Sequence, residues 1–244
     1  MKIAVLSDIH GNIAALDAVL AHAACQSVDQ IVNLGDICSG ALWPKETAAR
    51  LMALDLPTIR GNHERQVLEG DPATMGLSDK HAAQTLDPDQ KAWLASLPAT
   101  LRLSEEVHLV HGTPSSDLVY FLETVTNAGV RPATVDEVSE RAGSCDAALI
   151  LCGHTHVPRA VRLDDGRLIV NPGSVGLPAY DDDKPYPHAI ETLSPHARYA
   201  VVSDESGGWE ASFHMVRYDW DTAAADAKAL GRNDWARALL TGRV

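Results

Sequence analysis

Eight residues of this 244-residue chain have side chains that bind metals or move protons, and each follows a short apolar run or a glycine: Asp8, His10, Asp36, Asn62, His63, His111, His154 and His156. Singly, each has an ordinary explanation. An aspartate can cap the helix that follows it, a strand histidine is commonly packed and hydrogen-bonded, and an asparagine after glycine suits a turn. Together they require five strand ends that all carry ligand-type residues. Asp8/His10 and His154/His156 are also spaced i and i+2, which in extended backbone puts both side chains on one side. Carboxylate, imidazole and carboxamide without sulfur suit Mn, Fe, Zn, Ni or Co and disfavour a pure Mg or Ca site. Seven such ligands are too many for one ion with an open position. They match two ions sharing a carboxylate, and two ions about 3.5–4 Å apart activate a water and clamp both oxygens of an in-line displacement at phosphorus.

The elements that must position these residues read as α/β. Ile3-Ala4-Val5-Leu6, Gln30 to Leu34, Pro57 to Arg60, Val107 to His111 and Ala147 to Cys152 are short apolar strands, each stopped by a polar or glycine cluster. Asn12 can cap a helix presenting Ile13, Leu16, Val19 and Leu20, and Pro44 opens a helix to about Leu54. Ligands of open α/β sheets bind outside the carboxyl ends of the strands, so the polar groups should converge on one edge. Residues 70–98 read as irregular helix with Trp93, Leu94 and Leu97 as its core stripe. Residues 113–145 read as a loop-and-helix excursion with an amphipathic Val135 to Ala142. Antiparallel strands follow near 159–163, 168–170, 199–203 and 211–218, then a helical tail from Asp221. No linker divides the chain, so residues 1–244 are expected to form one domain.

Composition narrows the function. The 33 acidic residues outnumber 20 basic ones, a formal charge of −13 that repels polyanions at long range and argues against a nucleic-acid polymer as partner. Cys25, Cys38, Cys145 and Cys152 are widely spaced and read as reduced thiols. No apolar run approaches the roughly 18 residues of a membrane span, and Asp8 interrupts the N-terminus too early for a signal peptide. The expectation is a cytoplasmic protein with no membrane partner.

Asp8-x-His10, Gly35-Asp36, Gly61-Asn62-His63-Glu64, His111 and Gly153-His154-x-His156 stand in an order and spacing that resembles the calcineurin-like metallophosphoesterases. Asn171-Pro172-Gly173-Ser174-Val175-Gly176 and the Tyr218-Asp219 tail resemble their small prokaryotic single-domain branch. The resemblance implies a four-layer α-β-β-α sandwich of two facing mixed sheets flanked by helices, with a dimetal centre at the strand ends. It implies that Asp8, His10 and His156 hold one ion, that Asn62, His111 and His154 hold the second, and that Asp36 bridges. His63 would lie outside the metal ligands and act on the substrate.

Two divalent transition-metal ions, Mn being the expected pair in vitro, would outweigh the charges of Asp8 and Asp36 and make the pocket locally positive. The activity so implied is a phosphodiesterase or phosphatase in which a hydroxide on the two ions attacks a small soluble phosphoester. The alternative is a non-catalytic interaction module on the same fold, which the intact ligand set disfavours.

Arg60 reads equally as a phosphate contact or as a salt bridge within the strand layer, and Glu64 as an orienter of His63 or a helix-start carboxylate. His22, His108, His188, His196 and His214 read as surface or packing residues, and His81 as a candidate for the pocket rim. Pro178 to Arg198, with Tyr180, Asp181 to Asp183, Tyr186 and His188, reads as a long loop that either rims the site or makes a contact in a homo-oligomer.

Overall fold

In the computed structural model, which describes residues 1–244, strand alternation builds the layers. The chain runs β1 (Lys2–Leu6), α1 (Ile13–Ala24), β2 (Gln30–Asn33), α2 (Pro44–Leu54), α3 (Asn62–Glu69), α4 (Leu77–Thr85), α5 (Pro88–Ser96), β3 (Leu101–Arg102) and β4 (Val107–Leu109). It continues through β5 (Glu123–Thr126), β6 (Gly129–Pro132), α6 (Val135–Ala142), β7 (Leu149–Leu151), β8 (Arg159–Arg162), β9 (Leu168–Asn171), β10 (Ala179–Asp182), β11 (His188–Glu191), β12 (Ala197–Ser203), β13 (Glu210–Val216), α7 (Trp220–Ala229) and α8 (Asn233–Thr241).

Two mixed sheets result, one in the order β13-β12-β1-β2 and one in the order β3-β4-β7-β9-β8. β1 and β2 run parallel, as do β4, β7 and β9, while β12 and β13 are antiparallel. On β1, Ile3 and Val5 face the second sheet and meet Val107, Leu109, Leu149, Leu151, Leu168 and Val170 in a shared core. The alternate residues Ala4 and Leu6 pack beneath α1, α2, α7 and α8. On the far side of the second sheet, Ile150 and Ile169 are covered by Val138 and Ala142 of α6 and by Phe121 and Leu122. The period-two burial of the strands therefore makes the four layers. No helix is long and apolar enough to cross a membrane.

Local signals explain most elements. Asn12 caps α1 by accepting from the Ala15 N–H at 3.1 Å, and Pro44 opens α2. Leu94 is fully buried, with Trp93 and Leu97 packed beside it. The structure corrects three expectations. Pro57 to Arg60 is not a strand: only Thr58 bridges Asn33, because Pro57 has no N–H and the Arg60 N–H turns to the Pro98 carbonyl at 2.9 Å. The excursion at 113–145 contains the hairpin β5–β6 as well as α6. Residues 178–198 are not a loop, since β10 and β11 pair antiparallel with Asp182 opposite His188.

Candidate metal centre

The polar residues lie just beyond the ends of β1, β2, β4 and β7, and at the start of α3. Asp8, His10, Asp36, His154 and His156 all have left-handed backbone, with φ of 54°, 51°, 54°, 70° and 59°. The i/i+2 pairs therefore do not point together because the chain is extended. They converge because left-handed residues turn each loop back over the strand ends. Asp and His are among the non-glycine types that best tolerate this region, at a cost of order 1–3 kcal/mol each. The loops are knit to one another to hold it: the N–H groups of Asp8, His10 and Gly11 donate to the carbonyls of Gly35, Asp36 and Ile37 at 3.0, 2.9 and 2.8 Å. Close approach also fixes composition. A Cβ at Gly61 would strike the Asp36 carboxylate, and one at Gly153 would strike the Ser7 side chain.

Two groups of potential ligand atoms result, each lying within 4.8 Å of one another: Asp8, His10 and His156, and Asp36, His111 and His154. The Asn62 Oδ1 lies 3.0 Å from His111 Nε2 and joins the second group. All of the residues expected as ligands are thus brought together.

Their tautomers follow from the partners of the other ring nitrogens. His10 Nδ1 is 2.7 Å from the Ser39 carbonyl, His156 Nδ1 is 2.7 Å from the Leu177 carbonyl and His111 Nδ1 is 2.8 Å from the Leu34 carbonyl. A carbonyl only accepts, so each Nδ1 carries a proton, and Nε2 is the nitrogen turned into the site, the atom that would bind a metal once it is deprotonated. His10 Nε2 and His156 Nε2 face each other at 3.1 Å. The Asp8 Oδ1 is buried without a hydrogen-bond partner, 3.3 Å from His156 Nε2. Imidazole nitrogens turned towards one another and an orphaned carboxylate oxygen are what a cation would satisfy, and the sulfur-free donor set fits a borderline divalent ion.

The electrostatics of the metal-free site follow from the same contacts. Burial, with His156 and His63 nearby, depresses His10 to about 4. Burial and His111 do the same to His154, also to about 4. Burial opposes charge on His111 as well, but the Asp36 carboxylate at 3.2 Å and Asp8 lift it to about 10. Burial works against the Asp36 carboxylate too, yet His111 and His63 hold it well below the usual range.

His63 stands apart from the ligands. Its N–H donates to Asp36 Oδ1 at 3.0 Å, and its Nδ1 bonds Asp79 Oδ1 at 2.7 Å, an oxygen that also accepts from Ser39 Oγ. That leaves Nε2 free, on a half-buried ring lying edge-on to His10. Burial opposes its charged form, but Asp36 and then Asp79 raise it to about 9. Asp79, on α4, was not singled out by the sequence: it lies in the excursion and meets His63 only through tertiary packing.

Glu64 does not orient His63. Its buried carboxylate accepts from the N–H groups of Asp36, Ile37 and Gly61 at 2.8, 2.7 and 2.8 Å, locking the Asp36 loop to the start of α3. Arg60 is half-buried and makes no ion pair, so the salt bridge within the strand layer is not formed. His81 contacts the Leu42 carbonyl at 3.2 Å, and Cys38 is a buried residue donating to the Pro44 carbonyl.

Comparison with known proteins agrees with this geometry. Residues 1–192 match the family model of the calcineurin-like phosphoesterase superfamily domain. An uncharacterized protein of Methanocaldococcus jannaschii is 28% identical over 194 residues, covering 75% of this chain and 72% of that one. The crystal structure of a metallophosphoesterase from Sphaerobacter thermophilus superposes with a TM-score of 0.78 at 25% identity, over 99% of both chains. A hypothetical protein from Pyrococcus horikoshii shares the fold at a TM-score of 0.75 and 18% identity, over 99% of this chain and 98% of that one. Its matched domain, its four layers and its two ligand groups place this chain in the calcineurin-like phosphoesterase superfamily.

Proposed function

We propose that residues 1–244 work as one domain that hydrolyses a small soluble phosphoester with two divalent metal ions, manganese being the first choice in vitro. The observation that carries this reading is the pair of buried ligand groups, whose imidazole nitrogens and carboxylate oxygens face one another. In this reading Asp8, His10 and His156 hold one ion, Asn62, His111 and His154 hold the other, and Asp36 bridges. The Asp36 charge acts on His10 of the first group and on His111 and His154 of the second, which supports the bridging role. When bound, the ions supply Lewis-acid charge and an activated water for in-line attack at phosphorus.

The protein's own groups do the rest. Asp79 holds His63 with Nε2 free, placed to protonate a leaving oxygen, an effect typically worth about 10²–10⁴-fold. Glu64 keeps the Asp36 loop rigid through three N–H bonds. Arg60, with no partner inside the protein, is available to a phosphate. Exposed Leu118 lies beside His154, its carbonyl 3.2 Å from His154 Nε2, and supplies apolar surface for an ester group.

Turnover of a chromogenic bis-aryl phosphate tests this. Manganese-dependent hydrolysis abolished by a chelator and restored by Mn²⁺ is expected. No turnover of any mono- or diester by the manganese-loaded chain would overturn the reading.

A further inference from the structure

The hairpin β10–β11 and the segment before β5 meet at a chain of polar side chains against the two C-terminal histidines of the centre. His188 is buried, and its Nδ1 donates to the Tyr186 carbonyl at 2.8 Å. Tyr120 Oη lies 3.0 Å from His188 Nε2 and 2.7 Å from the Tyr180 hydroxyl. The Tyr180 hydroxyl also donates to the carbonyl of His154 at 3.3 Å. One chain of hydrogen bonds therefore runs from the Tyr186 carbonyl through His188, Tyr120 and Tyr180 to the His154 carbonyl.

The rings held by this chain lie on the ligands themselves. Tyr120 meets His154 edge-on with centroids 5.1 Å apart, and Tyr180 meets His156 edge-on at 4.7 Å. These are the two histidines with left-handed backbone after β7, a conformation that persists only where surrounding contacts over-determine it. On the inner side Asn171 donates to the Gly153 carbonyl at 2.6 Å, and Asp8 Oδ2 accepts from the His154 N–H at 3.1 Å. On the outer side the tyrosines face the same loop. One hydroxyl chain thus reaches a histidine of each ligand group.

We propose that Tyr120 and Tyr180, anchored by His188, are positioning residues that set the His154 and His156 rings for metal binding. The inference rests on the reading of those histidines as ligands. Outer partners of ligating groups typically change metal affinity by 10–100-fold when removed. Tyr120→Phe keeps the ring and cuts the bonds to His188 and Tyr180, and Tyr180→Phe cuts those to Tyr120 and to the His154 carbonyl. Tyr186→Phe, exposed on the same hairpin with no side-chain hydrogen bond, is the control.

The full chain, stripped of metal, is titrated with Mn²⁺ by calorimetry, and the unfolding temperature of each metal-free variant is measured alongside. The expected result is binding weakened by about 10–100-fold in Tyr120→Phe and in Tyr180→Phe, and unchanged in Tyr186→Phe. Wild-type affinity in both Tyr120→Phe and Tyr180→Phe overturns the proposal, and a lowered unfolding temperature with unaltered affinity does so too, since that is a purely structural role. Failure of the wild-type chain to bind Mn²⁺ at all would instead remove the metal assignment on which the inference stands.

Discussion

His63 is the site histidine whose role depends on a proton rather than on a lone pair offered to a metal. Its Nδ1 is bound to Asp79 and its Nε2 is free, and the two carboxylates Asp36 and Asp79 favour its charged form against burial. His63→Ala is therefore expected to lower kcat by about 10²–10⁴-fold while metal content, measured on the same samples, stays at the wild-type value. Loss of a metal in that variant would make His63 a ligand instead. Asp79→Asn removes a charge that raises the His63 pKa, so the pKa falls. Activity that needs protonated His63 is then lost at lower pH than in wild type, and a pH–rate profile reads the shift.

At this scale the residues that converge were legible, because Asp8, His10, Asp36, Asn62, His111, His154 and His156 are of metal-binding types and follow apolar runs or glycines. Asp79 was not, since nothing local marks an aspartate 16 residues from its histidine as that histidine's partner. Of the two readings of Glu64, the helix-start carboxylate holds, since it accepts from the Gly61 N–H at the start of α3. Its further bonds to the Asp36 and Ile37 N–H groups lie across the fold and leave no local mark.

At the scale of elements, the strand ends were correctly expected to converge on one edge, but for an incomplete reason. Apolar runs and glycine stops are readable. The left-handed turns at Asp8, His10, Asp36, His154 and His156 are not, because they arise from hydrogen bonds between loops far apart in sequence. The hairpin β10–β11 was missed since its strands alternate weakly and are interrupted by Asp181 to Asp183, signals that favour a loop when read locally.

The close approach of Gly61 to the Asp36 carboxylate gives a test at this scale. Gly61→Ala forces a methyl group into that carboxylate and the backbone beside it. A loss of about 1–3 kcal/mol in stability and a fall in bound metal are expected, by denaturant unfolding and metal analysis. Gly76→Ala, whose added Cβ meets nothing within 4 Å, should change neither. Equal behaviour of the two variants would contradict the tight coupling of these loops.

Across the whole molecule, a chain of net charge −13 carries a site that must accept an anion. Asp181 to Asp183 are exposed on the hairpin whose Tyr180 packs against His156, so they bring negative charge towards the rim. A phosphodiester carries about one negative charge where a monoester carries nearly two, and repulsion should favour the diester most at low ionic strength. The kcat/KM ratio of matched aryl di- and monoesters is expected to fall as salt rises, and to be lower at low salt in a variant with Asp181, Asp182 and Asp183 all changed to Asn. A salt-independent preference for monoesters would remove this argument.

All of these expectations presuppose two ions held between the sheets' strand ends. The most direct measurement is elemental analysis of the manganese-reconstituted chain after removal of free metal, in wild type and in Asp36→Asn. The account predicts close to two ions per wild-type chain, and loss of bound metal together with activity when the shared carboxylate is neutralised. One ion per wild-type chain, or an Asp36→Asn variant that keeps both ions and full activity, would contradict it.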